Sequence, residues 1–208
     1  IPSKVTGQAQ FGLDVRLPGM LFAAVRMSPV LGGTASSMDT KAALAIAGVE
    51  TVVQIDAWGG GTGGLAVVGK STWHARQGAQ AVQVQWQPPA TGAADTTRIQ
   101  ADLLKALNTE SGFTFHEQGV PTQAEKAAAS RIDALYQAPY LAHATMEPMN
   151  CTAQVKDGRV EIWVPTQVPQ MARAMAAKVA GVKEEQVTVH VTLLGGGFGR
   201  RLEVDFVG

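Results

Sequence analysis

At 208 residues the chain can form one large domain or two small ones, and 46% hydrophobic against 16% charged residues leaves enough apolar material for a packed core. The 17 Lys and Arg balance the 17 Asp and Glu, which excludes the basic excess of a nucleic-acid binder or a polybasic membrane clamp. A single cysteine, Cys151, rules out an internal disulfide framework, a cysteine-rich zinc site or an iron–sulfur cluster held within the chain, and no apolar run approaches the roughly eighteen residues of a membrane span.

In chain order, residues 20–27 (MLFAAVRM) predict a buried strand. Residues 39–47 (DTKAALAIA) predict a short helix with Asp39 near its N-terminus and Gly48 closing it. Val49 to Ile55 reads as a second strand, the glycine cluster 59–64 as a loop, 65–68 as a third strand and 72–81 as a helix. The alternating run 82–86 (VQVQW) is a further strand. Strands alternating with short helices up to Trp86 imply a compact α/β unit. The breaker-rich stretch 87–94 (QPPATGAA) is the best domain boundary.

Beyond that boundary, helical patterns cover 97–109 and 121–130, and a strand covers 131–138. Asp157-Gly158 is a tight-turn signal that joins strands 151–156 and 159–164 in a hairpin. Thr166 is expected to cap a helix reaching Ala180, with Pro169 in its first turn and Gly181 at its end. Met171, Met175 and Val179 would stack with Ala172, Ala176 and Ala180 on one face. A last strand, 187–194 (VTVHVTLL), empties into Gly195-Gly196-Gly197-Phe198-Gly199-Arg200-Arg201.

That loop is the most informative stretch. Consecutive glycines bare the backbone N–H groups, which can gather into an anion-binding nest. Arg200 and Arg201 are of the type best suited to forked recognition of phosphate or another oxyanion, and Phe198 is the bulky apolar group that can wall off whatever is held. The loop lies so near Gly208 that the chain is expected to be a piece of something larger. Gln167, at a helix start, carries a neutral amide in a positive field and is a second donor to the same ligand.

Other motifs weigh less. Gly64 to Ser71 fits the phosphate-loop pattern GxxxxGKS letter for letter, with Lys70 and Ser71 as its functional ends. The apolar, β-branched middle, Leu65-Ala66-Val67-Val68, favours a buried strand instead. Gly59, Gly61 and Gly64 satisfy GxGxxG, but a strand follows where a dinucleotide fold needs a helix. His74, His116, His143 and His190 show no metal-ligand spacing, so no metal ligand is expected. Glu147, between Met146 and Pro148, is a partly desolvated carboxylate in need of a partner. With His143 it reads either as a tether of its own loop or as support for the site.

Three segments carry a family resemblance: HATMEPMN (143–150), WVPTQ (163–167) and LGGGFGRRLEVD (194–205). Their order and spacing resemble the start of the molybdenum-cofactor domain of the xanthine dehydrogenase/aldehyde oxidase family, with wording like that of the large subunit of isoquinoline 1-oxidoreductase-type enzymes. Residues 5–29 and 65–86 are similar to the α/β hammerhead domain of the same proteins. The resemblance implies an α+β (mixed α/β) fold: a hammerhead at 1–88, linker and helices at 89–130, and the truncated N-terminal part of the molybdopterin-binding domain at 131–208.

It implies that Gln167 bonds an oxo ligand of molybdenum. Gly197, Phe198 and Gly199 would line the metal centre through backbone N–H, with Gly195 and Gly196 completing the loop. Arg200 and Arg201 stand where relatives often carry Gly-Lys, so their partner is either cofactor phosphate or a neighbouring acidic strand. Leu202 occupies a position where purine oxidisers carry Glu, which favours another N-heteroaromatic compound or an aldehyde as substrate. The implied cofactor is molybdopterin cytosine dinucleotide, with a small [2Fe–2S] subunit as partner and water as the oxygen source. The catalytic base is expected beyond Gly208, since none of Glu147, Glu161 or Glu203 matches it. The 208-residue piece alone is therefore expected to be inactive and to hold the cofactor poorly. The resemblance also suggests the periplasm, with the cytoplasm as the alternative. A nucleotide-binding module at Gly64–Ser71, or a scaffold of the same fold without cofactor, are the rival readings.

Overall fold

A computed structural model describes residues 2–57, 61–109 and 112–208. Gly59, a member of the GxGxxG match and of the predicted glycine loop, lies outside the described residues. The strand Gly64–Gly69 (β4) sits between Phe22–Met27 (β1) and Val49–Ile55 (β3), antiparallel to both. Leu65 and Val67 point to a face covered by helix Thr72–Ala81 (α3), and both are fully buried. β1 differs from the expected buried strand: its side chains alternate between half-buried and exposed, because as an edge strand it offers one face to α3.

Thr34–Asp39 (β2) pairs with Gln83–Gln87 (β5) in a separate antiparallel ribbon, with a register shift between Ala35 and Ser37. The polar β2 is absent from the sequence prediction, and Asp39 ends it instead of lying at the start of the short helix expected over 39–47. The Asp39 carboxylate still accepts the Lys41 N–H at 3.0 Å, opening the four-residue helix Lys41–Leu44 (α2). Ser71 caps α3 by accepting the His74 N–H at 3.3 Å. Ala43, Leu65, Val67, Ala79 and Val82 form the core here.

A second core lies between the sheet β6-β7-β8 and helix Pro169–Ala180, where β6 is Thr152–Lys156, β7 Arg159–Val164 and β8 Val187–Val191. β6 and β7 form the predicted hairpin, and Asp157 and Gly158 take φ of 50° and 70°, the left-handed pair a type I′ turn requires. β7 pairs with β8 in parallel. β8 ends at Val191 rather than 194, and Leu193 makes only a bridge to Phe11. The helix buries Ala172, Ala176 and Ala177 against Val160, Ile162, Val164 and Val187, while Met171 and Val179 stay exposed. The small side chains, not the methionines, set the close approach to the sheet. Gly181 ends the helix at φ 67°, as predicted. Thr166 does not cap it: the helix starts at Pro169, and the Thr166 hydroxyl accepts the Val168 N–H at 3.1 Å one turn earlier.

Contacts divide the chain into one unit of residues 1–93 with 143–208 and another of 94–142. This differs from a division in chain order, because the N-terminal segment joins the second core: Leu193 N–H donates to Gln10 O at 3.3 Å, and Gly12 packs on Asn150 and Pro165. The 94–142 unit carries helices Thr96–Thr109 (α4) and Pro121–Ala127 (α5), the latter three residues shorter than predicted. Residues 131–138 form no strand. A strand needs a neighbour's ladder, none of the described residues supplies one, and Ile132 and Tyr136 are open to solvent. With α1 at Pro2–Val5, α2, α3, α4 and α5, the helix Pro169–Ala180 is α6. The whole is the mixed helix-and-sheet class expected.

Candidate functional site

After β8 the chain runs past Glu147 before turning outward. The Glu147 N–H donates to Gly195 O at 2.9 Å, and the Gly195 N–H returns to Glu147 Oε2 at 2.8 Å. A Cβ on Gly195 would collide with the Glu147 side chain, so only glycine allows this approach. Glu147 is 7% exposed and Arg201 is 0% exposed. Burying such a pair costs several kcal/mol per ion unless the remaining hydrogen-bonding capacity is used, and here it is. Arg201 Nη2 reaches Glu147 Oε2 at 2.8 Å and Glu147 O at 2.9 Å, Nη1 reaches Pro165 O at 3.1 Å, and Nε reaches Gly196 O at 2.7 Å. Glu147 Oε1 accepts the Leu13 N–H at 3.1 Å and Asn150 Nδ2 at 3.2 Å. Burial pulls the Arg201 guanidinium below its ordinary pKa and the Glu147 charge pushes it back up.

The outer half of the loop is a tight turn. Arg200 N–H donates to Gly197 O at 2.9 Å, with Phe198 at φ 52° and Gly199 at φ 89° between them. A phenylalanine in the left-handed region is strained, and such strain persists only where the surroundings impose it. The turn leaves the Phe198 ring 76% exposed. Gln167 stands alongside: its N–H donates to Arg201 O at 3.1 Å, and the Thr166 hydroxyl donates to the same oxygen at 3.3 Å. A Cβ on Gly197 would lie 3.2 Å from Gln167 Oε1, so the glycine makes room for the carboxamide. That carboxamide is exposed and bonds no other described residue.

The fold thus gathers Gly195, Gly196, Gly197, Phe198, Gly199, Gln167, Arg200, Arg201 and Glu147. His143 is exposed and makes no hydrogen bond to the loop. The forked oxyanion recognition expected of the two arginines is satisfied within the chain. Arg201 lies wholly beneath the loop, and Arg200 grips Asp205 at 2.8 and 2.6 Å, a bond that raises its pKa. Sequence reasoning missed Asn150 and the Leu13 N–H as partners of Glu147. Asn150, three residues on in the same segment, was within local reach, whereas no local signal could have paired Glu147 with Leu13, 134 residues away.

The phosphate-loop reading fails on geometry. Its Gly64–Gly69 arc is the straight central strand β4, Lys70 lies 3.5 Å from Glu50 on the surface, and the Ser71 hydroxyl is used by His74. Elsewhere, His190 bonds Glu161 at 2.8 Å and stacks on Trp163 with ring centroids 4.8 Å apart. Among the described residues, no helix is long and apolar enough to cross a membrane.

Comparison with known proteins places this loop in context. Residues 106–206 match a family model described as the molybdopterin cofactor-binding domain. The isoquinoline 1-oxidoreductase subunit beta of Brevundimonas diminuta is 33% identical over 98% of this chain and 26% of its own length. A protein of Gluconacetobacter polyoxogenes named as a membrane-bound, pyrroloquinoline-quinone aldehyde dehydrogenase is 32% identical over 100% of this chain and 27% of its own. The crystal structure of quinoline 2-oxidoreductase from Pseudomonas putida 86 superposes with a TM-score of 0.69 at 22% identity, over 99% of this chain and 31% of that one. The chain therefore spans between about a quarter and a third of the length of these relatives.

Proposed function

This chain belongs to the xanthine dehydrogenase/aldehyde oxidase family as part of a molybdopterin-binding large subunit, and from that premise we propose that its glycine loop and Gln167 form one wall of the molybdenum site in a hydroxylase. The carrying observation is the neighbouring position of Gly197 and the free Gln167 carboxamide, with 3.2 Å between that amide oxygen and the space a Cβ would fill. The donor set suits the group: backbone N–H groups and a neutral amide can hold anionic oxygens without adding a competing charge. Gln167 and the N–H groups of Gly196, Gly197 and Phe198 would hold the cofactor's oxygen ligands. The cofactor supplies the two-electron redox centre when bound. The exposed Phe198 ring would exclude water and orient a planar substrate.

In this reading the cofactor is molybdopterin cytosine dinucleotide, electrons leave through a small [2Fe–2S] subunit, and the protein works in the periplasm. Residues 1–88, which hold β1 to β5, would supply the α/β hammerhead. Leu202, half-exposed just past the loop, offers an apolar contact where a purine would need a carboxylate, so the substrate is an N-heteroaromatic compound or an aldehyde. The test is metal and nucleotide analysis of the full-length protein, followed by assays with an N-heterocycle and an aldehyde. Molybdenum with cytidine nucleotide, and an altered molybdenum signal in Gln167→Ala, are expected. A full-length protein free of molybdenum would end the proposal. The 208-residue chain alone is expected to purify without the metal.

A further inference from the structure

Three loop amides face outward, and the buried Glu147–Arg201 ion pair lies behind them. We infer that Glu147 and Arg201 are positioning residues for the molybdenum cofactor, an inference that rests on the loop being the cofactor's cradle. In a trans peptide unit C=O and N–H point in opposite directions, and the described residues contain no cis bond. Gly195 O is held by the Glu147 N–H at 2.9 Å, so the Gly196 N–H points away from Glu147. Gly196 O is held by Arg201 Nε at 2.7 Å, so the Gly197 N–H points away from the guanidinium. Gly197 O is held by the Arg200 N–H at 2.9 Å, so the Phe198 N–H points out of the turn. None of these outward amides meets an acceptor among the described residues.

Glycine makes such aiming necessary. A Gly-Gly peptide flips at little cost, because neither flanking residue has a Cβ to oppose it. Only a grip on the carbonyl keeps the donor pointed outward. A cationic donor also polarises the peptide it binds, which strengthens the N–H on the far side. Glu147 holds the assembly together: Oε2 accepts from Gly195 and Arg201, while Oε1 accepts from Leu13 and Asn150. The N-terminal segment, the 147–150 turn, the loop and the arginine thus meet at one carboxylate.

The test uses the full-length protein with its cofactor. Arg201→Lys keeps a positive charge beside Glu147, but one ammonium cannot span Gly196 O, Pro165 O and Glu147 together. Glu147→Gln leaves one oxygen to serve the N–H groups that a carboxylate's two now accept. Lys70→Ala, at an exposed lysine that pairs with Glu50 and makes no bond to the loop, is the control. Expected are parent-like circular dichroism, molybdenum retention weakened roughly 10–100-fold, an altered Mo(V) paramagnetic spectrum, and a rotated Gly196–Gly197 peptide in a crystal structure of cofactor-free Arg201→Lys. Parent-like retention and spectrum in Arg201→Lys, or metal loss no larger than the loss of folded protein, would overturn the inference. Gln167→Ala separates the two possible failures. A changed spectrum there beside a parent-like Arg201→Lys removes the positioning role alone; a parent without molybdenum removes the cofactor reading itself.

Discussion

Arg201 Nη2 lies 2.8 Å from Glu147 Oε2, closing a contact between residues 54 apart in sequence, and neither side chain has appreciable access to solvent. Removing one member of such a pair strands the other charge. Glu147→Gln should therefore lower the unfolding free energy of the chain by about 3–5 kcal/mol, read from urea denaturation. Replacing both partners, as in Glu147→Leu with Arg201→Met, should not restore it. The N–H groups of Leu13 and Gly195 and the amide of Asn150 would still lack their acceptor. Full recovery in the double variant would mean that the backbone bonds to Glu147 contribute nothing.

What could be read from the sequence follows from how local each signal was. Asp157-Gly158 and Gly181 mark left-handed backbone that few other residues tolerate, and each sits where predicted. Residues 131–138 read as a strand, but a short stretch of sequence cannot reveal whether a partner strand exists. The polar β2 strand owes its place to pairing with β5, and nothing in Thr34–Asp39 announces that. The loop stood out because consecutive glycines are a local signal, whereas Gln167 lies ahead of the helix that was expected to start beside it and that begins at Pro169. The destination of Arg201 was not legible, because its acceptors are carbonyls of Gly196, Pro165 and Glu147 brought together only by the fold.

Two glycines of the loop should answer differently to alanine. At Gly199 there is open space but φ is 89°, so Gly199→Ala should cost about 1–2 kcal/mol of stability through backbone strain alone. At Gly197 no positive φ is imposed, but the added methyl would stand 3.2 Å from Gln167 Oε1. Gly197→Ala should therefore unfold near the parent's midpoint while shifting the Gln167 carboxamide, visible in a crystal structure. Equal stability losses at the two positions would contradict this division.

Gly78 in α3 sets helix propensity against packing. Alanine there would gain about 1 kcal/mol of propensity. Its Cβ would also lie 2.6 Å from Val67 Cγ1 and 3.0 Å from Val49 Cγ2. Val67 is fully buried and β-branched, so it cannot turn aside, and overpacking of this kind costs about 1–3 kcal/mol. The packing cost should win at the upper end of that range. Thermal unfolding of Gly78→Ala should then fall below the parent, and a raised midpoint would show that α3 can lift off β4 freely.

Cys151 packs against the second core, and burial pushes its thiol from 9.0 up to about 12. The unfolded chain would release that proton near pH 9, while the folded chain holds it. Above pH 9 the unfolded state therefore binds fewer protons, and stability must fall as pH rises. The contribution is complete below about pH 9 and is lost progressively toward pH 12, with a slope of at most about 1.4 kcal/mol per pH unit. Denaturant unfolding between pH 8 and 10.5 should show this decline in the parent and a shallower one in Cys151→Ser, with the difference assigning it to the thiol. The same burial should make alkylation of the folded chain by iodoacetamide at pH 8.5 much slower than that of the unfolded chain. Equal rates would mean that the thiol ionises as readily in the core as in water.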